Sequence, residues 1–262
     1  MRYRLGLFVL LAAPLMGGSG TEGALEPRQR PPIVAAAGNL NPAATELAQQ
    51  FQKDTGLRVE VVFASSGTLT RQIRDGAPFE VFLSADQAYV DQLADLGLTR
   101  DRGRLYGIGR LVFFAPAGSP FDVREGYAGL ARLLDAGKLT KFAIANPEHA
   151  PYGNAARAAL RKHGLWDRLR PHLVVGEHLP QAAQFATTGN AAGAILSHAQ
   201  MHAPFMKGRG TWTLIPEEDH PQLRQGMVRL KRAGPVAERF YQYMQEPAAR
   251  AILTRYGFTL PE

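Results

Sequence analysis

Short apolar runs of strand length alternate along the chain with longer stretches whose apolar residues recur every three or four positions. Ile33 to Ala37 reads as a strand. Asn39, Leu40 and Asn41 form a turn, and Pro42 suits a helix start from which Ala44, Leu47, Ala48 and Phe51 fall on one face until Gly56. Val59 to Ala64 and Val81 to Leu83 predict buried strands. Leu69 and Ile73 mark the helix between them, and Ala85 to Gln87 open the next helix, carrying Val90, Leu93 and Leu96. After a strand at Leu111 to Ala115 the theme repeats. Leu130, Leu133 and Leu134 mark a helix, Phe142 to Ala145 a strand, Asn146 to Gly153 a loop, and Asn154 to His163 a helix. Leu173 to Val175 and Ala194 to Leu196 predict strands on either side of a helix from Leu179 to Phe185. Met227 to Leu230 predicts a late strand, and helices Val236 to Met244 and Ala248 to Tyr256 close the chain.

Strands alternating with helices predict an α/β fold of mostly parallel sheets. Two such sets in one chain predict two lobes joined by a pair of strands: residues 32–112 with 227–262, and 113–226. Parallel sheets bind ligands beyond the carboxyl ends of their strands. That rule points to Gly38 and Asn39, Ser65 and Ser66, Ser84 to Asp86, Asn146 to Gly153, and Ser197.

The first residues break this pattern. Arg2 and Arg4 precede an apolar run from Leu5 to Leu15, and small residues follow to Ala24. The run is too short to span a bilayer and reads as a secretory signal, residues 1–24, cleaved near residues 20–24. The mature chain is expected to be soluble. It contains no cysteine, which excludes disulfides, thiolate metal sites and a lipidated N-terminal cysteine. The formal charge is +7; loss of residues 1–24 takes Arg2, Arg4 and Glu22 and leaves +6. Lysine and arginine are scattered, with no dense run or aromatic platform, so no nucleic-acid partner is expected.

Strand-end loops that lead straight into helices present unpaired N–H groups and a partial positive charge, which together favour anions. Asn39 adds an amide and Ser66 a hydroxyl at two such places. The plainer reading makes each an ordinary helix N-cap. Asp86, near a helix start, is assigned to capping, because a carboxylate repels an anion.

The blocks from Phe63-Ala-Ser-Ser-Gly-Thr-Leu69 through Arg71-Gln72-Ile73 and Gly76-Ala-Pro78 to Val81-Phe-Leu-Ser-Ala-Asp86 resemble the periplasmic molybdate-binding proteins. So do Gly109-Arg-Leu-Val112, Asn146-Pro-Glu-His-Ala-Pro-Tyr-Gly153 and Arg255-Tyr-Gly-Phe258, in family order across nearly the whole mature chain. The resemblance implies a two-lobe, hinged type II periplasmic-binding fold, each lobe a mostly parallel sheet flanked by helices. It implies an extracytoplasmic, monomeric protein with no cofactor, which hands molybdate or tungstate to the membrane subunits of an ABC importer. Carried over by position, the oxyanion contacts are Asn39 with the backbone of Gly38, Ser66, and the backbones of Tyr152 and Leu179. Two positions depart from the best-known pattern. Many relatives have Ala-Ala-Ser where this chain has Ala37-Gly38-Asn39, and many carry a tyrosine where this chain has Ser197, a further candidate contact with a shorter reach.

Other classes fit less well. The chain has no Gly-x-Ser-x-Gly elbow, Walker loop or dinucleotide glycine fingerprint, so no enzyme is expected. Another small anion such as sulfate is the nearest alternative ligand. His198 and His202, four apart, share a helix face as metal ligands can, and His149 and His178 lie near the loops. Without a supporting motif they read as solvated or hydrogen-bonded, and no free metal cation is expected. The resemblance implies a neutral site, so Arg71 and Arg110 are not expected to hold the anion; Arg71, within the Leu69 to Ile73 helix, is expected to face solvent or to pair across the lobe.

Overall fold

Parallel β-strands buried on both faces need apolar side chains throughout, and β1 (Ile33–Ala37) is built that way, with Val34 to Ala37 all buried. The strands continue as β2 (Glu60–Ala64), β3 (Phe79–Leu83), β4 (Arg104–Gly109), β5 (Leu111–Pro116), β6 (Phe142–Ala145), β7 (Leu173–Gly176), β8 (Gly193–Ser197), β9 (Gly210–Leu214) and β10 (Leu223–Arg229). The helices are α1 (Asn41–Thr55), α2 (Ser66–Arg74), α3 (Gln87–Asp95), α4 (Gly126–Asp135), α5 (Pro151–Lys162), α6 (Trp166–Leu169), α7 (Leu179–Thr187), α8 (His198–Met201), α9 (Pro235–Tyr243) and α10 (Pro247–Arg255). They come from a computed structural model that describes residues 30–261, so the expected signal segment lies outside the described residues.

The strands form two five-stranded sheets, ordered β2-β1-β3-β10-β4 and β7-β6-β8-β5-β9. In the first, β1 runs parallel to β2 and β3, and β10 lies antiparallel between β3 and β4. In the second, β6 runs parallel to β7 and β8, and β5 lies antiparallel between β8 and β9. The chain passes from the first sheet to the second through Arg110 alone and returns between Leu214 and Leu223. The expected lobe limits at 112/113 and 226/227 therefore fall inside β5 and β10. Among the described residues, no helix is long and apolar enough to cross a membrane.

The apolar stripes do what their spacing predicts. Ala43, Ala44, Leu47 and Phe51 of α1 are buried, and Gly56 ends the helix in the left-handed region at φ 73°. Phe51 meets Phe240 and Tyr243 edge-on at 5.2 and 5.3 Å between centroids, fastening α9 to α1. Four elements differ from expectation in ways that matter for the site or the sheets. β4, with two glycines, and β9, whose Trp212 and Leu214 are exposed, lack an apolar run and were not anticipated. β10 starts at Leu223 rather than Met227, because Arg224, Gln225 and Gly226 interrupt its apolar pattern. Helix α5 begins at Pro151 rather than Asn154: proline is at home in a first turn, so Pro-Tyr-Gly opens the helix instead of ending the loop.

That earlier start presses α5 onto the end of β6. A Cβ at Gly153 would overlap Ala145 O and lie 2.7 Å from the carbonyl carbons of Ala145 and Asn146. Backbone cannot yield as a flexible side chain can. Gly153→Ala is therefore expected to destabilise the protein by about 1–3 kcal/mol, the usual cost of overpacking. A urea titration reads this as a lower midpoint, and an unchanged midpoint would show that α5 can slide outward freely.

Candidate functional site

Four strand-to-helix junctions meet between the two sheets. The 3-10 turn Gly38–Leu40 follows β1, and a Cβ on Gly38 would lie 2.8 Å from Pro180 Cδ, so this turn rests on the first turn of α7. The start of α2 rests on the β6–α5 loop: the Gly67 N–H donates to His149 O at 2.9 Å. Gly38, Asn39 and Ser66 from the first sheet are thus drawn toward Tyr152 and Leu179 from the second. All five are almost wholly buried.

The plain N-cap reading fails for both polar residues. Ala37 and Leu40 occupy the N-cap positions around Asn39, and neither makes a side-chain cap. For α2 the cap is Ser65, which accepts from Thr68 N, while Ser66 is the first helical residue. Ser66 Oγ accepts the Ala85 N–H at 3.0 Å, and its own proton has no acceptor among the described residues. The N–H groups of Ser66, Tyr152 and Leu179 likewise have no partner among the described residues, each being in a first helical turn. Asp86 does cap, accepting Ala88 N–H at 3.0 Å.

Below these donors lies a buried polar network centred on Gln225 of β10. Gln225 Oε1 accepts from Asn39 Nδ2 at 2.9 Å and lies 2.7 Å from the Tyr106 hydroxyl, which also reaches Ser84 O at 2.9 Å. Gln225 Nε2 donates to the Tyr152 hydroxyl at 2.9 Å. The network thus ties the first turn of α5, from the second sheet, to two strands of the first. Burial pushes the Tyr152 phenol well above its ordinary range, opposed by the Gln225 and Asn39 amides, so it stays neutral. Burial acts on Tyr106 the same way. Gly109 makes this approach possible: a Cβ there would overlap both the Tyr152 hydroxyl and Gln225 Nε2. Asn39 Oδ1 is buried without a partner.

A second tie crosses beside the first. Ser65 Oγ lies 2.9 Å from His149 Nδ1, and His149 Nε2 lies 3.2 Å from Glu177 Oε2. Serine, histidine and glutamate in a row invite comparison with acyl-transfer triads. Here Ser65 Oγ is nearly buried and already engaged with Thr68 N and Thr68 Oγ1, so it is a poor nucleophile. The row instead holds the β6–α5 loop against α2.

Ser197 is placed differently from the other candidates. Its hydroxyl accepts Gln200 N–H in a capping box at the start of α8, which packs against α1 and the Gly38–Leu40 turn. His178 caps α7 through its side chain. Arg71 is exposed, and Arg110 pairs with Glu217 at 2.8 Å. Sequence reasoning missed Gln225, Tyr106 and the Ala85 N–H. A glutamine interrupting an apolar strand was the available signal for the first.

Uncharged donors thus converge at strand ends, between two sheets linked by two crossings. Residues 33–259 match the family model described as bacterial extracellular solute-binding protein, and the chain belongs to that family. It is 33% identical over 231 residues to "Molybdate-binding protein ModA" of Azotobacter vinelandii, covering 87% of this chain and 89% of that protein. It is 35% identical over 233 residues to the protein of the same name in Escherichia coli (strain K12), covering 87% and 88%. The solved structure of the Azotobacter vinelandii periplasmic molybdate-binding protein superposes with a TM-score of 0.79 at 30% identity, over 88% of this chain and 100% of that one.

Replacing Gln225 with leucine keeps the volume roughly constant but strands the Asn39 amide and the Tyr152 hydroxyl. An unsatisfied buried polar group costs about 1–3 kcal/mol. Gln225→Leu should therefore lose at least that much stability in a denaturant titration; a fully stable variant would mean the network is dispensable.

Proposed function

We propose that this chain captures molybdate or tungstate between its two sheets and presents it to the membrane subunits of an ABC importer. The observation that carries the reading is the convergence of unpartnered N–H groups of Ser66, Tyr152 and Leu179 with the free proton of Ser66 Oγ. The ModA relatives support the ligand class. Signal segment 1–24 delivers the chain to the periplasm, where it acts as a monomer, without cofactor, nucleic acid or a catalytic step. Gly38, Asn39, Ser66, Tyr152 and Leu179 contact the oxyanion. Ser197 supports the Asn39 turn through α8 and stands at the edge of the contact set.

The orphaned Asn39 oxygen fits this reading. If the Asn39 and Gln225 carboxamides both turn over in place, Gln225 Nε2 donates to Asn39 Oδ1 and Tyr106, and the Tyr152 hydroxyl donates to Gln225 Oε1. Every bond of the network is kept. The Asn39 Nδ2 is then released as a donor where the orphaned oxygen stood. An anion favours that arrangement.

Molybdate and sulfate are both tetrahedral dianions, so only size separates them. A cage of backbone N–H groups set for the longer metal–oxygen bond leaves sulfate with stretched contacts, each partly unpaired donor costing about 1–3 kcal/mol. Phosphate brings a proton that finds no acceptor. Molybdate and tungstate should bind at least about a thousandfold more tightly than sulfate or phosphate, a gap of roughly 4 kcal/mol. Competition calorimetry measures it; displacement of micromolar molybdate by millimolar sulfate would make the protein a sulfate binder or a generalist. In the same titration Asn39→Ala and Ser66→Ala should each lose about 1.5–3 kcal/mol, the value of a hydrogen bond to a charged group. A variant that binds like the parent removes its residue from the site.

The ties from Ser65 and Gly67 to His149, and from Gln225 to Tyr152, hold the two lobes together in a closed form. The lobes, built on residues 32–112 with 227–262 and on 113–226, open about the crossings at Arg110 and residues 215–222. Small-angle scattering should show compaction on adding molybdate. An identical profile at saturating ligand would refute the hinge.

A further inference from the structure

Beyond the proposed anion contacts, α8 and its C-cap residue place His198 and His202 one helical turn apart, with their Nε2 atoms 3.2 Å from each other. The two rings are held, not free. The Gly257 backbone, at φ +76°, packs against the Nδ1 edge of His198, and the ring leans on Trp212 at 5.0 Å between centroids. His202 meets the Tyr256 ring edge-on at 6.4 Å. That packing holds the ring with Nε2 turned toward His202, as neighbouring contacts orient histidines that ligate metals.

The separation matches a chelate bite. Metal–imidazole bonds of about 2.0–2.1 Å to two nitrogens 3.2 Å apart subtend about 100° at the metal, between the square and tetrahedral angles. We propose that His198 and His202 form a two-imidazole site for a divalent transition-metal ion, Cu²⁺ foremost, with water completing the coordination. Among the described residues no cluster of three or more His, Asp or Glu is placed to hold a metal, so the ion is exchangeable rather than structural. His202 shifts its proton to Nδ1 through solvent when the ion arrives. The nearby positive charge of Arg110 is balanced by Glu217 at 2.8 Å. The site does not rest on the oxyanion reading.

Trp212 supplies the probe. The chain has two tryptophans, Trp166 and Trp212, and a paramagnetic Cu²⁺ bound at the pair sits beside the second. Copper(II) chloride titrated into the mature protein in a non-chelating buffer at pH 7.5 should quench emission saturably at one equivalent, and Trp212→Phe should remove that quench. His202→Asn, at an exposed position, should weaken Cu²⁺ binding at least tenfold while leaving the thermal melt and the molybdate response unchanged. Electron paramagnetic resonance should show two imidazole nitrogens in the parent and one in the variant, and Zn²⁺ should bind more weakly than Cu²⁺. Equal copper affinity in parent and His202→Asn, quenching that persists in Trp212→Phe, or no saturable binding overturns the assignment.

Discussion

The carboxamide of Gln225 sits on the strand that brings the chain back to its first sheet, and it holds Asn39, Tyr106 and Tyr152 at once. A primary amide is well suited to this, having two acceptor lone pairs and two donor hydrogens and no charge to desolvate. The positions of its partners follow from it. The turn after β1 is fixed at the depth of the α7 start, and the first turn of α5 is drawn across to the first sheet. That approach demands glycine at 109, and the contact of the β1 turn with α7 demands glycine at 38, where bulk would separate the surfaces.

In the proposed site the donors are uncharged. The basic residues discussed as candidate ligands are occupied or turned away, Arg110 by Glu217 and Arg71 by its exposed position. The net positive charge then acts at long range, raising the local anion concentration without choosing among anions. In the proposed site, choice would fall to dipoles held by helix backbones, which cannot relax around a smaller ion as a lysine ammonium can. On that reading, attraction and discrimination belong to different parts of the molecule.

How far the sequence could be read followed how regular its chemistry is. β1, β2, β3, β5, β6 and β8 were legible because buried parallel or central strands are unbroken apolar runs, and α1 because its stripe has a proline start and a glycine stop. β4 and β9 were not, since glycines in one and exposed large side chains in the other erase the pattern. Of the site, the strand-end loops were visible from topology and the individual contacts from motif resemblance. The Gln225 network was invisible, because its members lie up to 186 positions apart and no local signal pairs Asn39 with a glutamine on the last strand. The His198–His202 spacing was visible, but the bite distance and the packing of the Gly257 backbone against the ring were not.

The strand order carries a consequence in time. The second sheet is encoded by one uninterrupted stretch, from Leu111 to Leu214, whereas the first needs β10, which lies between β3 and β4 and ends at Arg229. As the chain emerges amino end first, β1 to β4 appear early but stay unzipped down the middle, with β3 and β4 lacking the strand that joins them. The later-made sheet can therefore be complete before the earlier-made one, and the half that starts synthesis is the half that finishes folding.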